Sequence, residues 1–540
     1  MWSFMKILLI YPNKTMTTRI PLGIGYLVAY LKHAGHEVGI FDTTFMDCGS
    51  GVSDDNLRAA SLQVRNPDFA QYNIVAKKID ILNELDKKIS VFKPDMVAVS
   101  VVDPNYRFGL ILAEKIKEKN KNIFVIFGGP TVTFSPEEVI IEDAVDAICV
   151  GEGEQALPEL CAAIEEGRKI KNIKNIWCKE KGDIYRNDVR PLIDLDTLLP
   201  PDWNMFDERH LIRPLGGKMY RMGVFAITRG CLFRCTYCAN FALSGIYKGK
   251  GSLYRIQDPE KMVNQIAEFK RRYNLNFIFF VDDIFPLHRP HVLDKFCSLY
   301  KEKVRLPFNV SLHAELVKEA QFAKLVDAGC RNVCIGLESG SPSIREEMFE
   351  RKCSNAQIIE AFRLAHKYKI RSSTFNIIGI PGESRKDIFQ TIDLNRKANP
   401  TTATLTFLHP YRGTKVRDIC LKEKIFDIGK EKAHEDGYRT DSCLNLKNVS
   451  AKELNGIFKT FQMYLKMPKI CYFFIHLAEG ESIFSKIIFS FLKKIFYCIT
   501  YKEAVRDFSD DPAFCSNNND KSAKGTPKEG CEVVIASNNS

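Results

Sequence analysis

The stretch ITRGCLFRCTYCAN, Ile227 to Asn240, sets Cys231, Cys235 and Cys238 in a C-x3-C-x2-C frame, with the aromatic Tyr237 just before the last cysteine. Thiolates are the preferred ligands of iron–sulfur centres, so three of them on one short loop suit a single cluster. A structural zinc site needs a fourth ligand at comparable spacing, and neither a partner C-x2-C pair nor an H-x3-H stands nearby. A four-iron cubane held by three thiolates keeps one iron without a protein ligand. That open iron is where a substrate or cofactor binds.

The frame follows GVFAITRGC, the first strand pattern of a β/α series. Strand patterns recur at 224–228, 277–282, 308–311, 332–337, 373–378 and 404–408, with helical spacing at 259–272, 292–302, 319–327 and 355–368 between them. Six βα units are fewer than a closed eight-stranded barrel needs, so the spacing predicts a partial (β/α)6 TIM-like barrel over 223–420. In that architecture the chemistry lies at the C-terminal strand ends, where the cysteine loop stands.

Five shorter runs precede it: KILLIYP, EVGIFD, DMVAVSVV, NIFVIFGGP and DAICVGEGE. Alternated with helices such as PLGIGYLVAYLKHAGHE, they predict an α/β domain over 1–171, a doubly wound (Rossmann/flavodoxin-like) parallel sheet. The polar segment 54–92 reads as a helical insertion between the second and third strands. Ligands of such sheets sit beyond the strand ends where the order reverses. Those ends carry Pro12, Asn13, Ser100, Gly128 with Gly129, and Gly151 with Gly153, and glycine lets backbone approach a ligand closely. The proline- and acid-rich segment 172–222 reads as a linker on the surface, 421–506 as a helical C-terminal segment, and 507–540 as a disordered tail.

The 17 cysteines of the 540 residues come with no basic, apolar or cleavage pattern in the opening MWSFMKILLIYP, so they read as reduced thiols of a cytoplasmic protein. A net charge of +11 is spread along the chain and interleaved with acids, with no basic arm, so no nucleic acid partner is expected. No apolar run is long enough to span a bilayer. The stretch SIFSKIIFSFLKKIFYCITY reads as packing against the barrel. An in-plane contact at the inner face of a membrane through 482–500 is its second reading.

At this point the residues resemble a family. C-x3-C-x-aromatic-C after the first strand of a β/α series is the signature of the radical S-adenosylmethionine (SAM) superfamily. FVDDIFPL, CIGLESGS, NIIGIPGES and HPYRGTKV resemble its later strand-end segments. The resemblance implies a [4Fe-4S] cluster on Cys231, Cys235 and Cys238, and SAM cleaved to a 5′-deoxyadenosyl radical. It implies that Tyr237 packs on the adenine, that Glu338 and Ser339 face the ribose or amino-acid part, and that Asp282 and Asp283 approach the methionine. Gly379 of the glycine-rich segment joins the SAM contacts. Reduced flavodoxin or ferredoxin would donate the electron.

The first domain resembles the cobalamin-binding domain in front of one large class of these enzymes, through PLGIGYLVAYLKHAGHEV, GGPTVTFSPEE and VDAICVGEGE. The resemblance implies that Ser100, Gly128, Gly129 and Gly151 line the cobalamin slot. The loop YPNKTMTTRIPLG lacks D-x-H-x-x-G, so no lower axial histidine comes from it, and His36 reads as a surface residue. The implied activity is methylation or rearrangement of an unreactive carbon of a small-molecule substrate. A methylthiotransferase-like RNA-modifying enzyme and a non-catalytic corrinoid or redox sensor are the alternatives. Cys330 and Cys334 read as buried thiols straddling a helix end and a strand, and Cys353 is left unassigned.

Overall fold

Residues Met5 to Ile10 are apolar on both faces apart from Lys6, and the strand they form is buried on both sides, as parallel strands between helices are. In the computed structural model, which describes residues 4–49, 53–64, 69–426 and 439–500, this strand is β1 (Lys6–Tyr11). It pairs in parallel with β2 (Glu37–Asp42) and β3 (Met96–Ser100); β4 (Phe124–Gly128) and β5 (Ala147–Cys149) follow, giving the parallel order β2-β1-β3-β4-β5. The order reverses between β1 and β3, so a crevice opens over their C-terminal ends. Helix Leu22–His33 makes the first crossover and helix Ile81–Phe92 the one from β2 to β3. The latter lies in the segment read as an insertion, of which it is the crossover part.

Segment 172–222 is not an irregular surface linker. It contributes β6 (Ile176–Glu180) and β7 (Asp183–Tyr185), which extend the first sheet in antiparallel fashion. It also contributes β8 (Ile212–Leu215), which starts the second sheet as a hairpin with β9 (Lys218–Phe225). Trp203, 2 % exposed, packs on Phe225 and Phe269. Prolines and acids mask these short strands in sequence, and the buried indole holds the segment down.

After β9 come the short β10 (Thr228–Arg229) and β11 (Arg255–Ile256), then β12 (Phe277–Phe280), β13 (Phe308–Leu312), β14 (Cys330–Glu338), β15 (Arg371–Ile378) and β16 (Thr402–Phe407). β9 and β12 to β16 form the expected six-stranded parallel arrangement, in the order β16-β15-β14-β13-β12-β9 with β8 added antiparallel. The sheet is open at β16. There the Gln63 amide replaces a strand: its Nε2 donates to Leu405 O at 3.1 Å and its Oε1 accepts from Leu405 N at 2.9 Å. Helix Ala451–Lys466 covers β15 and β16 with a buried face including Leu454, Ile457 and Phe461. The tail 507–540, read as disordered, lies outside the described residues.

His36 is a correction. It is buried beside Glu165 at 3.5 Å, because the chain turns at Gly35 directly from helix Leu22–His33 into β2, and burial lowers its affinity for a proton. Cys330 and Cys334 both lie on β14 and do not straddle a helix end. Cys330 is fully buried in the core behind the sheet, whereas Cys334 is half-buried and accepts from Asn332 Nδ2. Cys353 is buried in the same core as Cys330.

Candidate active site

The cysteine loop starts where β10, paired with β11, ends at Gly230. Gly230 has φ +80°, and a Cβ there would lie 2.3 Å from Leu253 O, so the entry to the loop admits only glycine. Cys235 is buried, Cys231 and Cys238 are half-buried, and all three thiols are free. Backbone Phe233 N donates to Cys231 Sγ at 3.4 Å and Asn240 Nδ2 to Cys238 Sγ at 3.7 Å, contacts that favour thiolate. Burial outweighs them and pushes the three thiols up, Cys238 to about 11. Metal binding therefore has to displace protons. Among the described residues no three His, Cys, Asp or Glu side chains converge on a single ion. A four-iron cluster spreads its ligands more widely than one ion does.

Several buried polar atoms around the loop have no hydrogen-bond partner: Asp282 Oδ2, Tyr254 Oη, His313 Nε2 and Asn240 Oδ1. Asp282 and Cys231 both act electrostatically on Tyr254, and the His313 ring stacks on Phe233 of the loop at 3.7 Å. Buried polar groups are normally paired, so this concentration marks a place where a polar ligand satisfies them. The donor set fits a cluster with a polar ligand bound beside it.

The residues expected at SAM divide into two groups. Tyr237 packs on Phe349 at 4.5 Å, and its hydroxyl faces the Glu338 carboxylate. Glu338 ends β14 at φ +63°, left-handed backbone that a non-glycine residue adopts only where its surroundings impose it. Gly336 explains the G-x-E spacing, because a Cβ there would meet Glu338 Oε1 at 2.2 Å. Asp283 accepts from Asn240 Nδ2 at 3.0 Å and lines the main cavity. Ser339 and Gly379 face protein, and Asp282 is held by protein at one oxygen only. Asp282 Oδ1 accepts from Thr228 N at 2.6 Å and Thr228 Oγ1 at 2.5 Å, and burial still pushes this carboxyl up to about 7. Ser339 is fully buried, with its Oγ accepting from Ser341 N, and Gly379, at φ +78°, is covered by Leu454.

One residue at this site was missed in the sequence. Arg351 is 6 % exposed, donates from Nη2 to Gly336 O at 2.6 Å, and places its charge among Glu338, Tyr237 and Cys235. It stands in a loop after β14 with no motif around it, so nothing in the sequence flags it.

A cavity of about 450 Å³ lies between the two sheets. Ser100, Gly128, Gly129 and Gly151 line it from the first sheet, and Thr228 to Gly230 with Asp283 from the second. Gly129 and Gly151 have φ +101° and +84°, and a Cβ on either would come within 2.5 Å of Val101 O or 2.0 Å of Tyr247 Oη. The remaining wall is largely apolar, with Leu9, Leu22, Ile24 and Leu27, and among the described residues no histidine lines it. A bare glycine edge and a greasy wall fit a large planar ring held without a histidine.

The cavity is clamped by charge. Arg229, two residues before Cys231, pairs with Glu152 at 3.1 Å and Glu154 at 2.6 Å, and Arg255 pairs with Glu152 at 2.6 Å. Burial opposes ionisation of Glu152, yet Arg255 and Arg229 hold its carboxyl below the usual range. The acids of GEGE and the arginine of TRGC are visible in sequence, but their meeting is not.

Comparison with known proteins agrees with this geometry. The family described as the radical SAM superfamily matches residues 225–394, and the B12 binding domain matches 14–161. An uncharacterized methyltransferase of Pyrococcus horikoshii is 26% identical over 476 residues, covering 86% of this chain and 94% of its own. The anaerobic magnesium-protoporphyrin IX monomethyl ester cyclase of Rubrivivax gelatinosus is 24% identical, covering 79% and 72%. The cobalamin-dependent SAM radical enzyme OxsB, solved with aqua-cobalamin and SAM, superposes with a TM-score of 0.64 at 15% identity over 92% of this chain and 72% of its own, a likeness of fold. A radical SAM domain brings a [4Fe-4S] cluster and SAM, and a B12 binding domain brings cobalamin. With both domains present in that order, and Thr228 to Gly230 at the head of the cluster loop lining the cavity they share, the chain belongs to the radical SAM enzymes that carry a cobalamin-binding domain.

Proposed function

We propose that the protein transfers a methyl group to an unreactive carbon of a small-molecule substrate, using cobalamin and SAM. The observation that carries this reading is the shared cavity, lined by the glycine edge of the first sheet and, from the second, by Thr228 to Gly230 just before the cysteine loop and by Asp283, which accepts from Asn240 at the end of that loop. When bound, the cluster and SAM supply hydrogen abstraction and the corrinoid supplies the methyl group. Methyltransferase appears in the name of the Pyrococcus horikoshii relative, which supports the transfer over a rearrangement.

In this reading Cys231, Cys235 and Cys238 hold the cluster, and Ser100, Gly128, Gly129 and Gly151 border the corrinoid. Tyr237, Glu338 and Asp283 contact SAM directly. Ser339 and Gly379 shape its pocket from behind, since their groups are engaged with protein, while Asp282, held by Thr228 through Oδ1, has its free Oδ2 for the ligand. Arg351 sets a positive charge beside Glu338 and Cys235, where it opposes the burial that raises both groups. The clamp of Arg229 and Arg255 on Glu152 and Glu154 fixes the separation between the two cofactor sites and closes the cavity edge against water. Reduced flavodoxin or ferredoxin in the cytoplasm serves as electron donor.

Reconstituted protein incubated without oxygen with SAM, methylcobalamin and a reductant is expected to form 5′-deoxyadenosine. Product from a cognate substrate is expected to gain one methyl group. Absence of nucleoside cleavage by protein with an intact cluster overturns the radical reading. Cleavage at an undiminished rate with no corrinoid bound overturns the cobalamin part.

A further inference from the structure

Helix Ile483–Thr500 buries one face only. Ser485, Leu492 and Phe496 point inward to the core shared with Ile457 and Phe461. On the opposite side Ile483, Phe484, Ile487 and Phe491 are 79%, 64%, 62% and 63% exposed. Next to it, the turn and short helix Tyr472–Ala478 leave Ile470, Phe473 and Phe474 85%, 68% and 53% exposed. Isolated exposed apolar residues are ordinary, but a group of this size on adjacent helices marks a contact surface.

Its arrangement identifies the contact. Phe484, Ile487 and Phe491 follow i, i+3, i+7 and form one stripe along the helix. Lys486 and Lys493 lie along one side of the stripe and Lys494 continues it one turn beyond Phe491; no acidic residue occurs from Ser482 to Thr500, and the exposed Glu481 stands just before the helix. None of these lysines has an acidic partner among the described residues; Lys493 lies over the Tyr497 ring. A protein partner of ordinary composition would leave three lysines against one acid unmatched, whereas a leaflet containing anionic lipid matches the apolar stripe and the predominantly cationic charge together. No helix among the described residues is long and apolar enough to cross a membrane, so the stripe would lie in the plane of the interface.

We propose that helices Tyr472–Ala478 and Ile483–Thr500 form a docking face for anionic phospholipid membranes. The apolar stripe enters the acyl boundary and the three lysines contact lipid phosphates. The surface is separate from the cofactor cavity, so the face decides where the enzyme works and not which reaction it performs.

The test is cosedimentation of the full chain with vesicles of phosphatidylcholine alone and of phosphatidylcholine mixed with phosphatidylglycerol. Binding is expected to the mixed vesicles and to weaken as salt is raised. The Lys486→Gln, Lys493→Gln, Lys494→Gln variant is expected to lose on the order of a hundredfold in partitioning, about fivefold per lysine. The Phe484→Asp, Ile487→Asp, Phe491→Asp variant is expected to lose binding altogether while keeping the circular dichroism and melting point of the parent, because these side chains touch little protein. Failure to bind mixed vesicles overturns the proposal. So does a dimer in analytical ultracentrifugation that the aspartate variant dissociates, which would give the face to a second copy. Vesicle binding seen only after deletion of 507–540 would assign the face to that segment and also overturn the proposal.

Discussion

The three cysteines were recognisable singly because each is a thiolate donor at a spacing that little else explains, and their chemistry is local to one loop. Replacing any of Cys231, Cys235 or Cys238 with alanine is expected to abolish the iron–sulfur absorbance and the nucleoside cleavage, since two thiolates do not retain a labile cluster. Cys330→Ala is expected to keep both and to lose about 1 kcal/mol or more of stability from its buried site. Loss of the cluster in Cys330→Ala with retention in Cys235→Ala would show that the wrong thiols hold it. Glu383 is a different case. Its Oε2 accepts from Gly379 N at 2.7 Å and Ile380 N at 3.2 Å, its Oε1 has no partner, and burial pushes the carboxyl up to about 8. A raised carboxyl holds its proton longer folded than unfolded, so between its ordinary pKa of 4.5 and about 8 the native state binds more protons and stability falls as pH rises. Glu383→Gln keeps an acceptor for both N–H groups and removes the ionisation. The melting-point difference between variant and parent is therefore expected to move in favour of the variant from about pH 5 to about pH 8.5, by the equivalent of a few kcal/mol at most. A difference that stays constant over that range would show that Glu383 does not hold a proton there.

Among the elements, the parallel strands were readable because continuous apolar runs bounded by glycine or proline leave few other structures. The strands of 172–222 were not, since β6, β7 and β8 are short and depend on an edge supplied by another part of the chain. The edge of β16 shows the same dependence in one side chain. Gln63 belongs to the first domain by sequence and completes the second sheet by hydrogen bonding. Gln63→Ala leaves the Leu405 N–H and carbonyl without those partners, at an expected cost of about 1–3 kcal/mol. Hydrogen exchange should show faster turnover of β16 amides, with β12 and β13 unchanged. Equal protection of β16 in variant and parent would mean that another group or water replaces the clasp.

In the whole molecule, the two sheets are joined at their functional ends by the charge clamp, and this bears on both cofactor sites. Arg229→Gln leaves Glu152 with one guanidinium and Glu154, 6% exposed, with none. Stranding a buried carboxylate in this way is expected to cost on the order of 3 kcal/mol. Cobalamin affinity and the melting point should both fall, while the iron–sulfur absorbance of the reconstituted cluster remains, because Arg229 is not a cluster ligand. Loss of the cluster with unchanged cobalamin affinity would place Arg229 in support of the cysteine loop alone.

The sequence by itself determined the two β/α series, the thiolate frame and the glycines that open the first sheet, because each rests on period, spacing or backbone freedom within a few residues. Only the tertiary structure decided that His36 is buried, that Arg351 stands beside Glu338, that Gln63 closes the barrel edge and that Arg229 locks the cavity. It likewise decided which face of the last helix stays bare. Burial and ion pairing depend on what the rest of the chain brings to the same place, and local pattern carries no record of partners tens to hundreds of residues away.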